Sequence, residues 1–282
     1  MNQRFRSSVL PYLLSWLLIV SLVPGGAQAA RVDTVQVMST VMQRPIKCVI
    51  IRPDSYKKRR NRFPVVYLLH GYSGNHRDWV TKAPALPALA DQYQQLIVCP
   101  DGANSWYFDS PENPVLRYET FVGTELPAFI DATYRTIPDR QHRAITGLSM
   151  GGHGALYLAI RHRDRFAQAG SLSGGVDIRP FPANWEIRKT LGDLATHADA
   201  WERNTVINVA DSLRDGDLRL MFECGTADFF ADVNRALHQK LMARKISHDY
   251  AERPGGHTWA YWRTNIEYQL LFFSKGFSGQ PN

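Results

Sequence analysis

The run Gly147-Leu148-Ser149-Met150-Gly151 constrains this chain more than any other feature. It joins an apolar stretch, Arg143–Thr146, to a helical pattern over Met150–Arg161. A serine between two glycines at such a junction fits an abrupt strand-to-helix turn. The hydroxyl then stands above the strand ends, and the glycines admit backbone that crosses too closely for a Cβ.

The rest of the chain repeats this alternation. Apolar or alternating runs over Val32–Val41, Pro45–Ile51, Pro64–Leu69, Leu96–Cys99, Ala167–Ser171, Leu218–Glu223 and Ser247–Glu252 predict strands. Amphipathic patterns over Leu86–Tyr93, Thr120–Tyr134, Phe230–Arg244 and Trp259–Ser274 predict helices between them. Alternating strands and helices give an α/β fold with a doubly wound, mostly parallel sheet. The first two strands lack a helix between them, so they are expected as an antiparallel pair at one edge. Apolar residues make up 44% of the chain, enough for a large core, and neither an internal repeat nor a low-complexity tract is visible. Residues 30–282 are read as one domain. Within it, 174–217 lacks a clear strand and is expected as an insertion shaping a pocket over the strand ends; the alternative is a peripheral segment packed away from it.

The first 29 residues read as a cleavable export leader. Arg4 and Arg6 precede the apolar Val9–Val23, and Pro24-Gly25-Gly26 then leads to Ala27-Gln28-Ala29. Export to the periplasm or the medium follows. The apolar run is short for a membrane span and is interrupted by Pro11, Ser15 and Ser21, so no integral span is expected after its removal. The 33 Lys and Arg against 26 Asp and Glu lose only two cations with the leader, which leaves a mildly basic protein. Much of that surplus is one cluster, Lys57-Lys58-Arg59-Arg60-Asn61-Arg62, which reads as a solvated loop and not as a nucleic-acid-binding face. Cys48, Cys99 and Cys224 are odd in number and sit in predicted strands, so buried free thiols are expected, with a Cys99–Cys224 bridge as the alternative. No metal-ligand spacing appears, and no cofactor is expected.

A serine hydroxyl needs a base, and the base needs an orienting acid. Asp228 follows the strand Leu218–Glu223 in Gly225-Thr226-Ala227-Asp228, and His257 sits in the glycine-flexed Pro254-Gly255-Gly256-His257 between the last strand and the last helix. Both fit the order serine, acid, histidine. Two N–H donors are then expected for a developing oxyanion: the Met150 amide and, from His70-Gly71-Tyr72-Ser73-Gly74, that of Tyr72. Trp106 is expected to border the pocket, and Asp101 to fix a turn. His153, one helical turn beyond Ser149, is expected to point into the scaffold.

YLLHGYSGNHRDW (67–79), PDGANSWYFDS (100–110), ITGLSMGGHGAL (145–156), ECGTADFF (223–230) and GGHTWAYWR (255–263) together resemble the esterase D / antigen 85 branch of the α/β-hydrolases. The resemblance implies an α/β-hydrolase fold, a Ser149–His257–Asp228 triad and an acyl-enzyme. It also implies a small-molecule or saccharide ester as substrate, with short-chain or aryl acyl groups. Acyl transfer to a hydroxyl of the mycolyltransferase type, and a non-catalytic binding protein on the same scaffold, are the alternatives.

Overall fold

The computed structural model describes residues 1, 30–58 and 60–279. Residues 2–29 of the expected leader therefore lie outside the described residues, as does Arg59 of the basic cluster. Among the described residues eight strands form one sheet: β1 (Arg31–Ser39), β2 (Arg44–Arg52), β3 (Val65–Leu69), β4 (Leu96–Pro100), β5 (Arg143–Gly147), β6 (Gln168–Leu172), β7 (Arg219–Gly225) and β8 (Asp249–Arg253). Their order is β1-β2-β4-β3-β5-β6-β7-β8. β1 pairs antiparallel with β2, and β2 with β4, while every other pairing is parallel. This is an α/β-hydrolase fold with the expected antiparallel edge. The predicted strands all form, displaced by one or two residues at their ends.

The helices in chain order are α1 (Asp78–Lys82), α2 (Leu86–Tyr93), α3 (Tyr118–Thr120), α4 (Leu126–Thr133), α5 (Met150–Arg161), α6 (Ile187–Leu191), α7 (Ala198–Asn204), α8 (Val206–Val209), α9 (Ala231–Ala243) and α10 (Trp259–Phe277). The pleat sends alternate side chains to opposite faces. Val65, Tyr67 and Leu69 of β3 enter one core with residues of α5 and α9. Val66 and Leu68 enter the other, with Leu86 and Leu89 of α2 and Ile266, Leu270 and Phe273 of α10. A sheet covered on both faces explains why its central strands are apolar throughout instead of alternating.

The helix expected over Thr120–Tyr134 is not uniform. Its Phe121–Glu125 turn is a π-helix set between α3 and α4. Pro127 in the first turn of α4 cannot donate to a carbonyl one turn back, and a wider turn before it accommodates that loss. The cysteines are buried and free. A Cys99–Cys224 bridge is excluded because β3, β5 and β6 separate β4 from β7. Cys48 and Cys99 lie on neighbouring strands but in the two different cores. Segment 174–217 carries α6, α7 and α8. Among the described residues no helix is long and apolar enough to cross a membrane.

Glu119 fastens this scaffold to α5. Its carboxylate accepts hydrogen bonds from Tyr157 Oη and Arg161 Nε, each at 2.7 Å, and His162 Nε2 lies 3.3 Å away. Burial pushes the carboxyl up, but the bonds from His162, Tyr157 and Arg161 outweigh it and hold the group down at about 2. A depressed folded-state value means the stabilisation is complete above the ordinary carboxyl range and is lost as pH falls through about 2. Glu119→Gln is expected to lower the unfolding free energy by on the order of 3 kcal/mol at neutral pH. Urea titrations from pH 7 downward should show the gap from the parent narrowing below the carboxyl range.

Candidate active site

Ser149 sits between β5 and α5 with φ 54° and ψ −118°, a conformation costly for a residue with a Cβ. Its surroundings impose it. A Cβ at Gly151 would stand 2.6 Å from the carbonyl oxygens of Leu69 and His70, and one at Gly147 would stand 2.6 Å from the Gly151 carbonyl and 2.7 Å from that of Leu69. The end of β3 therefore presses directly on the turn. Ser149 N–H donates to Leu172 O at 2.9 Å, which ties the turn to β6 as well. The hydroxyl is carried above the strand ends, as the motif requires.

Asp228 and His257 arrive from adjacent strand ends. The loop after β7 runs beside the loop after β8: Thr226 N–H donates to Arg253 O at 2.9 Å, and Ala227 N–H to Gly255 O at 2.8 Å. Gly225 allows this approach, because a Cβ there would meet the Gly255 carbonyl at 2.4 Å. The Asp228 side chain is fully buried and accepts the Phe230 N–H at 2.9 Å. His257 Nδ1 lies 2.9 and 3.0 Å from the two Asp228 oxygens, and Nε2 lies 2.9 Å from Ser149 Oγ. With the ring proton on Nδ1 facing the carboxylate, Nε2 is free to accept the serine proton. The three residues form one continuous hydrogen-bonded line.

The 70–74 loop is set by a second histidine. Gly102 N–H donates to His70 Nε2 at 2.7 Å, which leaves the ring proton on Nδ1, 2.8 Å from the Gly71 carbonyl. Gly74 N–H donates to the same carbonyl at 3.0 Å. In a trans peptide the N–H points opposite to the C=O, so the Tyr72 amide is turned away from His70. Gly71 packs tightly over the Ser149 turn, where a Cβ would meet Leu148 Cδ1 at 2.5 Å and Ser149 Cβ at 3.3 Å. The Met150 amide opens α5 and has no earlier turn to bond to. His153 behaves as expected of a scaffold residue: it is fully buried, its Nε2 lies 2.9 Å from Asn204 O, and burial holds its imidazole down at about 3.

Residues 39–273 match the family described as "Putative esterase". The chain belongs to this esterase family. It is 30% identical over 222 residues to an acetyl esterase of Caldicellulosiruptor saccharolyticus, across 74% of this chain and 83% of the relative. It is 29% identical over 237 residues to esterase Rv1288 of Mycobacterium tuberculosis, across 74% of this chain but only 51%, about half, of that protein. Among solved structures, a ferulic acid esterase superposes with a TM-score of 0.77 at 28% identity, covering 88% of this chain and 98% of its own. The resemblance drawn from the motifs is met by these matches, and ester-hydrolysing activity in general follows from them.

In this esterase, Ser149 and His257 open onto a cleft of about 380 Å³ whose lining includes Tyr72, Asp78, Lys82, Trp185, Phe229 and Trp259. Trp106 is not in that lining. It is 1% exposed and stands behind the wall, where its indole N–H donates to the Trp185 carbonyl at 3.3 Å. Sequence reasoning missed Phe229, whose ring lies 4.2 Å from that of His257 and stacks at 5.6 Å on Trp185. Its place directly after Asp228 was the available signal. Trp185 comes from the 174–217 segment expected to shape a pocket, whereas Lys82 had no signal, since it reaches the cleft through tertiary packing alone. Asp101 accepts the Ala103 N–H at 3.0 Å and faces His76 Nδ1 at 3.2 Å, which fixes the turn after β4.

Gly151→Ala tests the packing of the Ser149 turn. Helix propensity alone favours alanine by up to about 1 kcal/mol. The contact with two backbone carbonyls opposes it, and a net loss of about 2 kcal/mol or more in unfolding free energy is expected. Equilibrium urea unfolding reads it directly.

Proposed function

We propose that this chain is a serine carboxylesterase that hydrolyses short-chain or aryl acyl esters through Ser149, His257 and Asp228. The observation that carries the reading is the unbroken line from Asp228 through His257 to Ser149 Oγ, with contacts of 2.9 Å at each junction. His257 Nε2 takes the hydroxyl proton as Ser149 Oγ attacks the ester carbonyl, and buried Asp228 stabilises the imidazolium that forms. The Tyr72 and Met150 amides receive the oxyanion. Collapse of the tetrahedral intermediate breaks the bond to the alcohol, which leaves with the proton from His257. A water then gives a proton to the same nitrogen, attacks the acyl-enzyme and releases the acid and free Ser149.

The cleft supports a small acyl group: Trp185, Phe229 and the 71–74 loop all line its volume of about 380 Å³. We further read the protein as exported, to the periplasm or the medium, on the leader pattern of residues 1–29. Immunodetection of the shortened chain outside the cytoplasm tests this, and full-length protein retained inside contradicts it.

The esterase reading is tested with p-nitrophenyl acetate and butyrate. The parent is expected to turn over both, and Ser149→Ala to lose at least about a thousandfold in kcat with its thermal midpoint preserved. Retention of most activity in that variant would remove Ser149 from the mechanism. Product analysis with an added sugar alcohol separates hydrolysis from acyl transfer, with free acid as the expected main product.

A further inference from the structure

The cleft lining mixes two chemistries. Trp185 and Phe229, stacked on each other, are apolar, while Asp78 and Lys82 in the same lining are charged. Neither Asp78 nor Lys82 takes part in the proton line or supplies an oxyanion donor, so the proposed mechanism leaves both unused.

The pair is built asymmetrically. Lys82 Nζ lies 3.1 Å from Asp78 Oδ2, but the carboxylate side chain is 11% exposed and the lysine side chain 46%. Asp78 is the fixed half. Its Oδ1 accepts from Asn75 Nδ2 at 3.3 Å, and Gly74 packs so close that a Cβ there would meet Oδ2 at 2.7 Å. The ammonium is further located by the face of Trp259, with Nζ 5.0 Å from the ring centroid, and that indole is itself braced edge-on by Trp79 and Trp262. An ammonium carries three donors, and Asp78 occupies one side of it. Lysine usually gives up much rotamer freedom when it grips a ligand. Here the buried carboxylate and the indole have already ordered it, and such preorganisation lowers the cost of binding.

We propose that Lys82 selects substrates carrying a carboxylate close to the scissile ester. This rests on the esterase reading and narrows its substrate class to anionic esters. Asp78, which lines the cleft beside the ammonium, moderates the attraction and holds the donor in place. The carboxylate could belong to either half of the ester: a uronic acid on the alcohol side, or a dicarboxylic half-ester on the acyl side.

Two matched pairs separate those sources: acetylated glucuronate against acetylated glucose, and mono-p-nitrophenyl succinate against p-nitrophenyl butyrate. In at least one pair the anionic member is expected to have about tenfold higher kcat/KM, mainly through KM, and to lose that advantage between about 20 and about 500 mM salt. Lys82→Met should abolish the preference and Lys82→Glu reverse it. Equal turnover within both pairs, or a preference unchanged in Lys82→Glu, overturns the proposal. Tryptophan fluorescence of Ser149→Ala titrated with acetylated glucuronate and with succinate gives a readout independent of turnover. Saturable, salt-sensitive quenching by either that Lys82→Glu removes supports the site even if no ester is cleaved, and absence of quenching by both counts against it. Failure of all hydrolysis together with such quenching would sink the esterase reading alone.

Discussion

The structure depends on the close crossing of the β3 end over the β5–α5 turn. The carbonyls of Leu69 and His70 occupy the space where Gly147 and Gly151 would otherwise carry side chains. No relaxed helix start fits there, and Ser149 is left in a backbone conformation that L-residues rarely adopt. Strain of this kind persists only where the surroundings over-determine it. The β5 and β6 pairings and the helix anchored by Glu119 supply that restraint.

The same crossing couples the site to its neighbours. The chain that presses on Gly151 continues as His70-Gly71, and the His70 ring turns the Gly71–Tyr72 peptide by holding its carbonyl. On the far side, the loops after β7 and β8 lie against each other over glycines, so the positions of Asp228 and His257 are set by backbone hydrogen bonds and not by flexible side chains. The geometry at Ser149 thus rests on three strand ends, each held by main-chain contacts. A site of that construction needs little reorganisation when charge develops in it.

Much of this was legible in the sequence because it is written locally. A glycine on either side of Ser149, an acid just past β7 and a histidine in a glycine-rich loop each report a backbone requirement at their own position. The apolar runs of β3, β4 and β5 likewise report burial on both faces. What escaped was set by contacts between distant segments. Trp106 looked like a pocket residue from its neighbours in sequence, yet it is buried behind Trp185. Lys82 belongs to no motif, and it meets Trp259, from the other end of the chain, at the cleft. The π turn at Phe121–Glu125 hid for a related reason: hydrophobic spacing locates a helix but does not register how Pro127 alters its hydrogen bonds.

The central claim is that Ser149 is activated by His257 across the 2.9 Å contact between them. Labelling with a fluorophosphonate, followed by peptide mass mapping, tests that contact without assuming any natural substrate. The account predicts one adduct, on Ser149, forming at least about a hundredfold more slowly in a folded His257→Gln variant. An adduct on another residue, or an undiminished rate in that variant, would contradict it.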